Sequence, residues 1–251
     1  MIKYKRMRKP IALVVIVGIL ISTLVSAVPV NAAAKKKVWV LANRVSFRDE
    51  YIYTYTKNGL LKKETIEPNR GQNKNVFWSA SYTYNGKKIS KLVVKGEDYK
   101  TEYKYSYDKK GRLVRAICQE NGDTSDIKYV WENGHCVKEQ NAELPSPHIY
   151  SYNKKGWITK YNDAQDVEKY TYDSNGYMTA YELEGEKDSL TKCTVQYWDN
   201  KLGWQGDLEY GSAYEFMEIT VPASYVKQIE KQQDWLTNRG GFQLLPLAAY
   251  I

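Results

Sequence analysis

Tyr103-Lys104-Tyr105-Ser106-Tyr107-Asp108-Lys109-Lys110-Gly111-Arg112-Leu113 is the stretch whose reading decides the fold. Successive side chains of a strand point to opposite faces, so Tyr103, Tyr105 and Tyr107 share one face. Lys104 and Ser106 share the other. Asp108 stands where its carboxylate can accept nearby backbone N–H groups. Gly111 stands where the chain needs a positive φ. Leu113 then opens a return strand, so the stretch reads as one β-hairpin with its aromatics segregated to one side.

Weaker copies flank it on both sides. Tyr53-Thr-Tyr55 precedes Gly59, Tyr82-Thr-Tyr84 precedes Gly86, and Tyr129-Val-Trp131 precedes Gly134. Tyr150-Ser-Tyr152 precedes Gly156, and Tyr170-Thr-Tyr172 precedes Gly176. The turn glycines are 27, 25, 23, 22 and 20 residues apart, room for two short strands and two turns. An apolar residue follows each glycine: Leu61, Ile89, Leu113, Cys136, Ile158 and Met178. Two units have shorter turns, Asn85-Gly86 and Glu132-Asn133-Gly134, and Asn-Gly is the preferred two-residue hairpin turn. One hairpin alone is marginal, so stability must come from neighbours, with cross-strand aromatic pairs contributing roughly 0.2–1 kcal/mol each. The fold expected is mainly β. It is an antiparallel β-hairpin repeat meander, an open curved sheet, with one C-terminal helix packed on it.

The rest of the chain divides around this array. Residues 1–34 hold a basic start, an apolar run from Ile11 to Ala27 and an Ala-rich end, the three parts of a cleaved export signal. Residues 35–199 form the repeat domain, opened by a strand at Val38–Leu41; Tyr197-Trp198-Asp199 reads as a degenerate seventh unit. Residues 200–251 form a cap. In it Gly203–Asp207 looks turn-like, Phe216–Val221 reads as an edge strand, and a helix is expected near 224–238. Phe242–Ile251 is expected to dock as a final strand. Glu67–Asn75 and Glu143–His148 are polar loops.

The formal charge of +8 includes five basic residues in positions 1–34 and no acid there, so the mature chain carries +3. Its lysines are scattered among acids, which argues against nucleic acid as a partner. No second long apolar segment follows the signal, so no stable membrane span is expected after its removal. The hydrophobic content leans on 23 Tyr and 7 Trp rather than on aliphatic residues, which suggests a thin core.

The unit Tyr-x-Tyr-Asp-x-x-Gly-Arg-Leu resembles the YD repeat of Rhs and teneurin proteins. Tyr105, Tyr107, Asp108, Gly111, Arg112 and Leu113 match it in full, and Tyr170, Tyr172, Asp173, Gly176 and Met178 match most of it. Asn153 replaces the Asp in the fifth unit, and the second and fourth units have shorter turns. The resemblance covers about positions 51–181 and implies export and stacked β-hairpins. In the family long arrays form shells. Six units are too few to close one, so encapsulation does not carry over.

Candidate sites divide between two readings. The aromatic ladder is either the core of the sheet or an exposed face that stacks on sugars. In the second case Tyr105, Tyr107, Trp131, Tyr152, Tyr172 and Trp204 are the ligand-binding rings. Cys136 occupies a slot that holds Leu, Ile or Met elsewhere; it is either a small buried hydrophobe or bridged to Cys118 in the next hairpin. Cys193 is the third cysteine, and the odd count leaves at least one thiol free in a monomer. His135 should point away from its neighbour Cys136, which disfavours a shared metal site or a nucleophile pair. No catalytic residue, metal site or cofactor is assigned. The function expected is non-enzymatic binding or scaffolding outside the cell, with a cell-envelope polymer or surface protein as partner. The alternative is a half-barrel carrier enclosing an apolar ligand between sheet and helix. Trp204, His148 and the 67–75 loop are the positions that the repeat does not explain.

Overall fold

The computed structural model of the chain describes residues 34–45, 49–68, 78–163, 165–176, 178–184, 191–192, 195–198, 204–207, 212–237 and 245–251. The expected export signal, Cys193 and most of the 67–75 loop lie outside these residues. The first seven strands are β1 (Lys35–Val45), β2 (Asp49–Tyr55), β3 (Leu61–Pro68), β4 (Trp78–Asn85), β5 (Lys88–Gly96), β6 (Lys100–Tyr107) and β7 (Leu113–Glu120). Next come β8 (Asp123–Glu132), β9 (His135–Asn141), β10 (His148–Tyr152), β11 (Ile158–Asn162), β12 (Val167–Tyr172) and β13 (Met178–Leu183). The last four are β14 (Thr191–Lys192), β15 (Val195–Trp198), β16 (Trp204–Asp207) and β17 (Ser212–Pro222). A 3₁₀ turn (Ala223–Tyr225) leads into helix α1 (Val226–Leu236), and a short helix α2 (Leu247–Tyr250) lies near Ile251.

The sheet is an open antiparallel meander with one C-terminal helix packed on it, as expected from the repeats. Consecutive strands pair from β1 to β14. β15 pairs with β16, β16 with β17, and β17 turns back onto β1 along nearly its whole length. Phe216–Val221 is therefore not an edge: β17 has β1 on one side and β16 on the other. One core cluster runs from Leu41 on β1 to Tyr170 on β12, so the sheet curls around its own side chains.

Each repeat carries the same irregularity. Ser106 pairs with Arg115, but Tyr107 pairs with Leu113, so the return strand holds one extra residue, Val114. The same shift separates Thr54/Tyr55, Thr83/Tyr84, Val130/Trp131, Ser151/Tyr152 and Thr171/Tyr172. Such a bulge leaves part of the local ladder unpaired. The next hairpin supplies the missing partner: Tyr84 Oη donates to Leu61 O (2.7 Å) and Tyr107 Oη to Ile89 O (2.7 Å). Trp131 Nε1 donates to Leu113 O (2.6 Å), Tyr152 Oη to Cys136 O (2.6 Å) and Tyr172 Oη to Ile158 O (2.5 Å). Tyr55 Oη begins the series at Leu41 O (2.6 Å), beside the bulge that interrupts β1. The accepting residues Leu41, Leu61, Ile89, Leu113 and Ile158 are completely buried.

The helix closes this ladder at its first two steps. Ile229, Gln232 and Leu236 recur on one face of α1 and are buried there. Gln232 accepts from Leu61 N (2.9 Å) and donates to Tyr84 Oη (3.0 Å). Gln233 accepts from Leu41 N (2.7 Å) and donates to Tyr55 Oη (3.5 Å). Each glutamine thus completes a ring with one bulge residue and the aromatic hydroxyl that serves it. Leu245, Leu247, Ala248, Ala249 and Ile251 are buried beyond the helix, and Trp235 Nε1 donates to Leu245 O (2.8 Å). The docking strand expected at Phe242–Ile251 is instead helix α2 where it is described. Gly203–Asp207 differs as well, since Trp204–Asp207 is strand β16.

The turn glycines at 59, 86, 111, 134, 156 and 176 all have positive φ. In the second unit the two-residue turn is Gly86-Lys87 rather than Asn85-Gly86, because Asn85 stays in β4 opposite Lys88. Gly59 has a second constraint: a Cβ there would lie 2.6 Å from Ile229 Cδ1 and 2.6 Å from Val221 Cγ1. Gly86 has nothing within 4 Å. Gly86→Ala should therefore cost about 1–2 kcal/mol of conformational strain, and Gly59→Ala clearly more; urea midpoints of the two variants compare them directly. Gln232→Leu leaves the Leu61 N–H without its acceptor, and a loss of about 1–3 kcal/mol is expected in the same unfolding measurement.

Candidate functional site at the turn end

An up-and-down meander sends all its hairpin turns to one end and all its connections to the other. The turns carry Lys57, Lys87, Lys88, Lys109, Lys110, Lys154 and Lys155. The connections carry Glu97, Asp98, Glu143, Asp163 and Asp166, and the tight turn between β7 and β8 is closed by Glu120 and Asp123. The two ends of the sheet thus differ in sign. Helix α1 and the segment around α2 pack at the basic end.

Between that segment and the turns lies a groove of about 400 Å³. Lys88, Lys110, Arg112, Lys155 and Lys231 line it, with His135, Trp131, Tyr152 and Tyr250, and no carboxylate side chain contributes to its wall. Arg112 is paired with Asp108, Nη2 to Oδ2 at 2.7 Å. Asp108 also accepts from Lys110 N and Arg112 N, both at 2.9 Å, as its place in the turn suggested. These bonds, from the Arg112 backbone first, hold its carboxyl below the usual range. Among the described residues no Asp or Glu side chain pairs with any of the four lysines. Lys88 Nζ donates to Ile251 O (2.6 Å) and sits 5.3 Å from the Tyr107 ring centre. Desolvation lowers its pKa, and the nearby Lys231 lowers it further. Lys155 Nζ lies 4.4 Å from the Trp157 ring centre, and Lys231 Nζ lies 5.7 Å from that of Tyr250.

The ring candidates fare differently from the sugar-binding reading. Tyr107, Trp131, Tyr152 and Tyr172 give their polar hydrogens to the sheet backbone. Tyr105 packs against the core opposite Ala116. These rings are wall and core, and of them Trp131 and Tyr152 also line the groove. Trp204 is in β16, and its side chain lies outside the described residues. The bridge between Cys118 and Cys136 is absent, and both thiols are free. Cys118 is on β7 and Cys136 on β9, with the whole of β8 between them. Two strand spacings, about 9–10 Å, already exceed the reach of a disulfide. Burial pushes the Cys136 thiol up to about 12. His135 stacks on Tyr152 with ring centres 4.5 Å apart. His148 faces Glu139, Nδ1 to Oε1 at 4.0 Å, and sets its edge to Tyr161. Among the described residues no group of three or more His, Cys, Asp or Glu is placed to hold a metal ion.

No protein-family model matches the chain, and no curated protein matches it. Among solved structures it is similar to a porin-like protein from Bacteroides uniformis ATCC 8492. The two share 11% identity over 73% of this chain and 96% of that one, at a TM-score of 0.35. A likeness of that size carries no argument about function. No helix among the described residues is long and apolar enough to cross a membrane.

Two interior carboxylates escaped the sequence reading. Glu64 on β3 is 9% exposed, shares the core with Tyr53 opposite it, and lies near Arg44. Glu139 on β9 lies opposite Tyr129. Desolvation raises each from 4.5 to about 7; at Glu64 a hydrogen bond from Tyr53 opposes the rise. The fold therefore favours the protonated form. The stability each group contributes is complete at low pH and declines as pH rises from about 4.5 to about 7. For Glu64 the effect amounts to about 3 kcal/mol. Glu64→Gln is expected to raise the urea midpoint at pH 8 and to reduce the decline across that window. Glu64→Gln with Glu139→Gln should flatten it.

Proposed function

We propose that the mature chain is a secreted, non-enzymatic binding or scaffold protein built from YD-like hairpin repeats, acting on a polymer or surface protein of the cell envelope. One observation carries this reading: the groove at the turn end collects five cationic side chains and no carboxylate side chain. The repeats account for the remaining polar chemistry of the sheet. Their hydroxyl and indole donors are taken by bulge carbonyls, and their thiols are held protonated by burial. The basic start and apolar run of residues 1–34 support export. The six Tyr-x-Tyr or Tyr-x-Trp hairpins support the YD-like assignment.

A second reading rests on a different feature. A cleft of about 830 Å³ lies between β1 and α1, with Val38, Trp39 and Val226 among its lining. A carrier would hold an apolar ligand there. Its wall also includes Lys36, Lys37, Glu230 and Asp234, a mixed surface less suited to an apolar guest than to solvent.

Affinity capture separates the two. Immobilised residues 35–251 are expected to retain an envelope polymer or surface protein in a salt-sensitive manner. Retention of lipids alone would favour the carrier, and turnover of a retained polymer would overturn the non-enzymatic reading.

A further inference from the structure

We propose that the groove between the hairpin turns of β4–β11 and the segment around α2 is a binding site for the anionic groups of a saccharide chain. Carboxylate and phosphate substituents share the chemistry required. This inference rests on the binding reading above and names the ligand class for it.

Three features of the groove converge on this ligand. The first is uncompensated charge. Lys88, Lys110, Lys155 and Lys231 line one cavity, and among the described residues no Asp or Glu pairs with any of them, whereas Arg112 is paired with Asp108. Like charges gathered in a concave, partly desolvated site repel one another, and an anion placed among them removes that cost. The second is the state of Lys88. It is half-buried between Tyr107 and Ile251, and its Nζ donates to Ile251 O. This holds the ammonium group in place at the groove wall, beside Lys231. The third is the aromatic lining. Trp131 lines the groove with its indole N–H already committed inward, and Tyr152 lines it with His135 stacked on one face, so the wall beside the lysines is aromatic surface with no free aromatic O–H or N–H from these two rings. Cationic groups beside apolar ring surface suit a sugar that carries a negative group, since sugar C–H faces pack on rings while the anion meets ammonium groups.

The groove's volume of about 400 Å³ suits one or two sugar residues rather than a long segment. A polymer would be gripped at intervals, with the rest of it outside. The acidic connections lie at the opposite end of the sheet, so the same chain would be repelled there and oriented toward the turns.

The test titrates the intact mature chain by Trp fluorescence and calorimetry with three probes: an oligogalacturonate, mannose 6-phosphate and neutral maltohexaose. The two anionic probes separate carboxylate from phosphate as the preferred group. Lys110 and Lys155 are exposed, and the contacts of Lys155 with Ser174 O and the Trp157 ring lie at the surface, so Lys110→Gln with Lys155→Gln is expected to leave the fold intact, as the urea midpoint checks. Lys95→Gln with Lys100→Gln, at the opposite end of the sheet, is the control. Saturable binding of an anionic probe is expected, weakened at least tenfold by the first variant and by 0.5 M salt, and unchanged in the control. Equal binding of maltohexaose, or equal loss in both variants, would overturn the anion site but leave a binding protein in place. Absence of binding by all three probes, with the chain still retaining an envelope protein, would overturn the saccharide. If envelope material were not retained either, both readings would fail.

Discussion

One hydrogen bond governs this molecule: an aromatic O–H or N–H reaching across to the carbonyl at a neighbouring hairpin's bulge. The bulge gives every unit its inward-facing apolar residue, and it frees a backbone group that is then buried. A buried carbonyl without a partner costs about 1–3 kcal/mol, so the donor is a condition of stacking rather than an addition to it. The donor must be long enough to cross to the next hairpin and apolar enough to lie in a core. Tyr and Trp meet both demands and Phe does not. That accounts for Tyr55, Tyr84, Tyr107, Tyr152 and Tyr172 at this position of their units, and for Trp131 taking a tyrosine's place without breaking the series. Burial also raises the hydroxyl pKa of Tyr84, Tyr107, Tyr152 and Tyr172, which keeps them protonated as donors.

The same constraint explains the cap. At the first two steps of the ladder the buried N–H of Leu41 and of Leu61 also needs an acceptor, and the side chains of Gln233 and Gln232 provide it. An amide can accept from the backbone and donate to the tyrosine hydroxyl in one movement. A carboxylate in that place would bury a charge, and a leucine would leave the N–H unpaired. The helix is therefore matched to the repeats by two adjacent polar residues as much as by its apolar face.

Most of the repeat architecture was legible in the sequence. Alternating aromatics, a turn carboxylate and a positive-φ glycine each have a local cause, and the structure keeps all of them in the third unit. What was not legible came from the bulge and from distance along the chain. Strict alternation from Leu61 would turn Lys63 inward and Glu64 outward, and from Cys136 it would do the same to Lys138 and Glu139. The extra residue reverses both, so Glu64 pairs with Tyr53 and Glu139 with Tyr129 on the inner face. Pairing of β1 with β17 joins residues about 180 positions apart, beyond any local pattern. In sequence, nothing sets Gln232 and Gln233 apart from the other polar residues of the helix. Their role depends on backbone groups that only a curled sheet brings within reach. The groove was hidden for a similar reason, since its lysines come from three separate turns and from α1.

The division of labour inside each unit has a consequence for the groove. The bulge, the aromatic donor and the glycine are fixed by backbone chemistry and tolerate few exchanges. The two residues just before the glycine, Lys109-Lys110 and Lys154-Lys155 in the third and fifth units, are exposed and meet no such demand. Because a meander delivers every hairpin turn to the same end, a preference at these tolerant positions is summed across units rather than scattered. Lys109-Lys110 and Lys154-Lys155 occupy equivalent places before Gly111 and Gly156, and Lys87-Lys88 follows Gly86 on the same rim. The mild net charge of +3 over residues 35–251 is therefore misleading as an average. Topology sorts it into a basic end and an acidic one. A surface that looks scattered along the sequence becomes a charged face once the hairpins stand side by side.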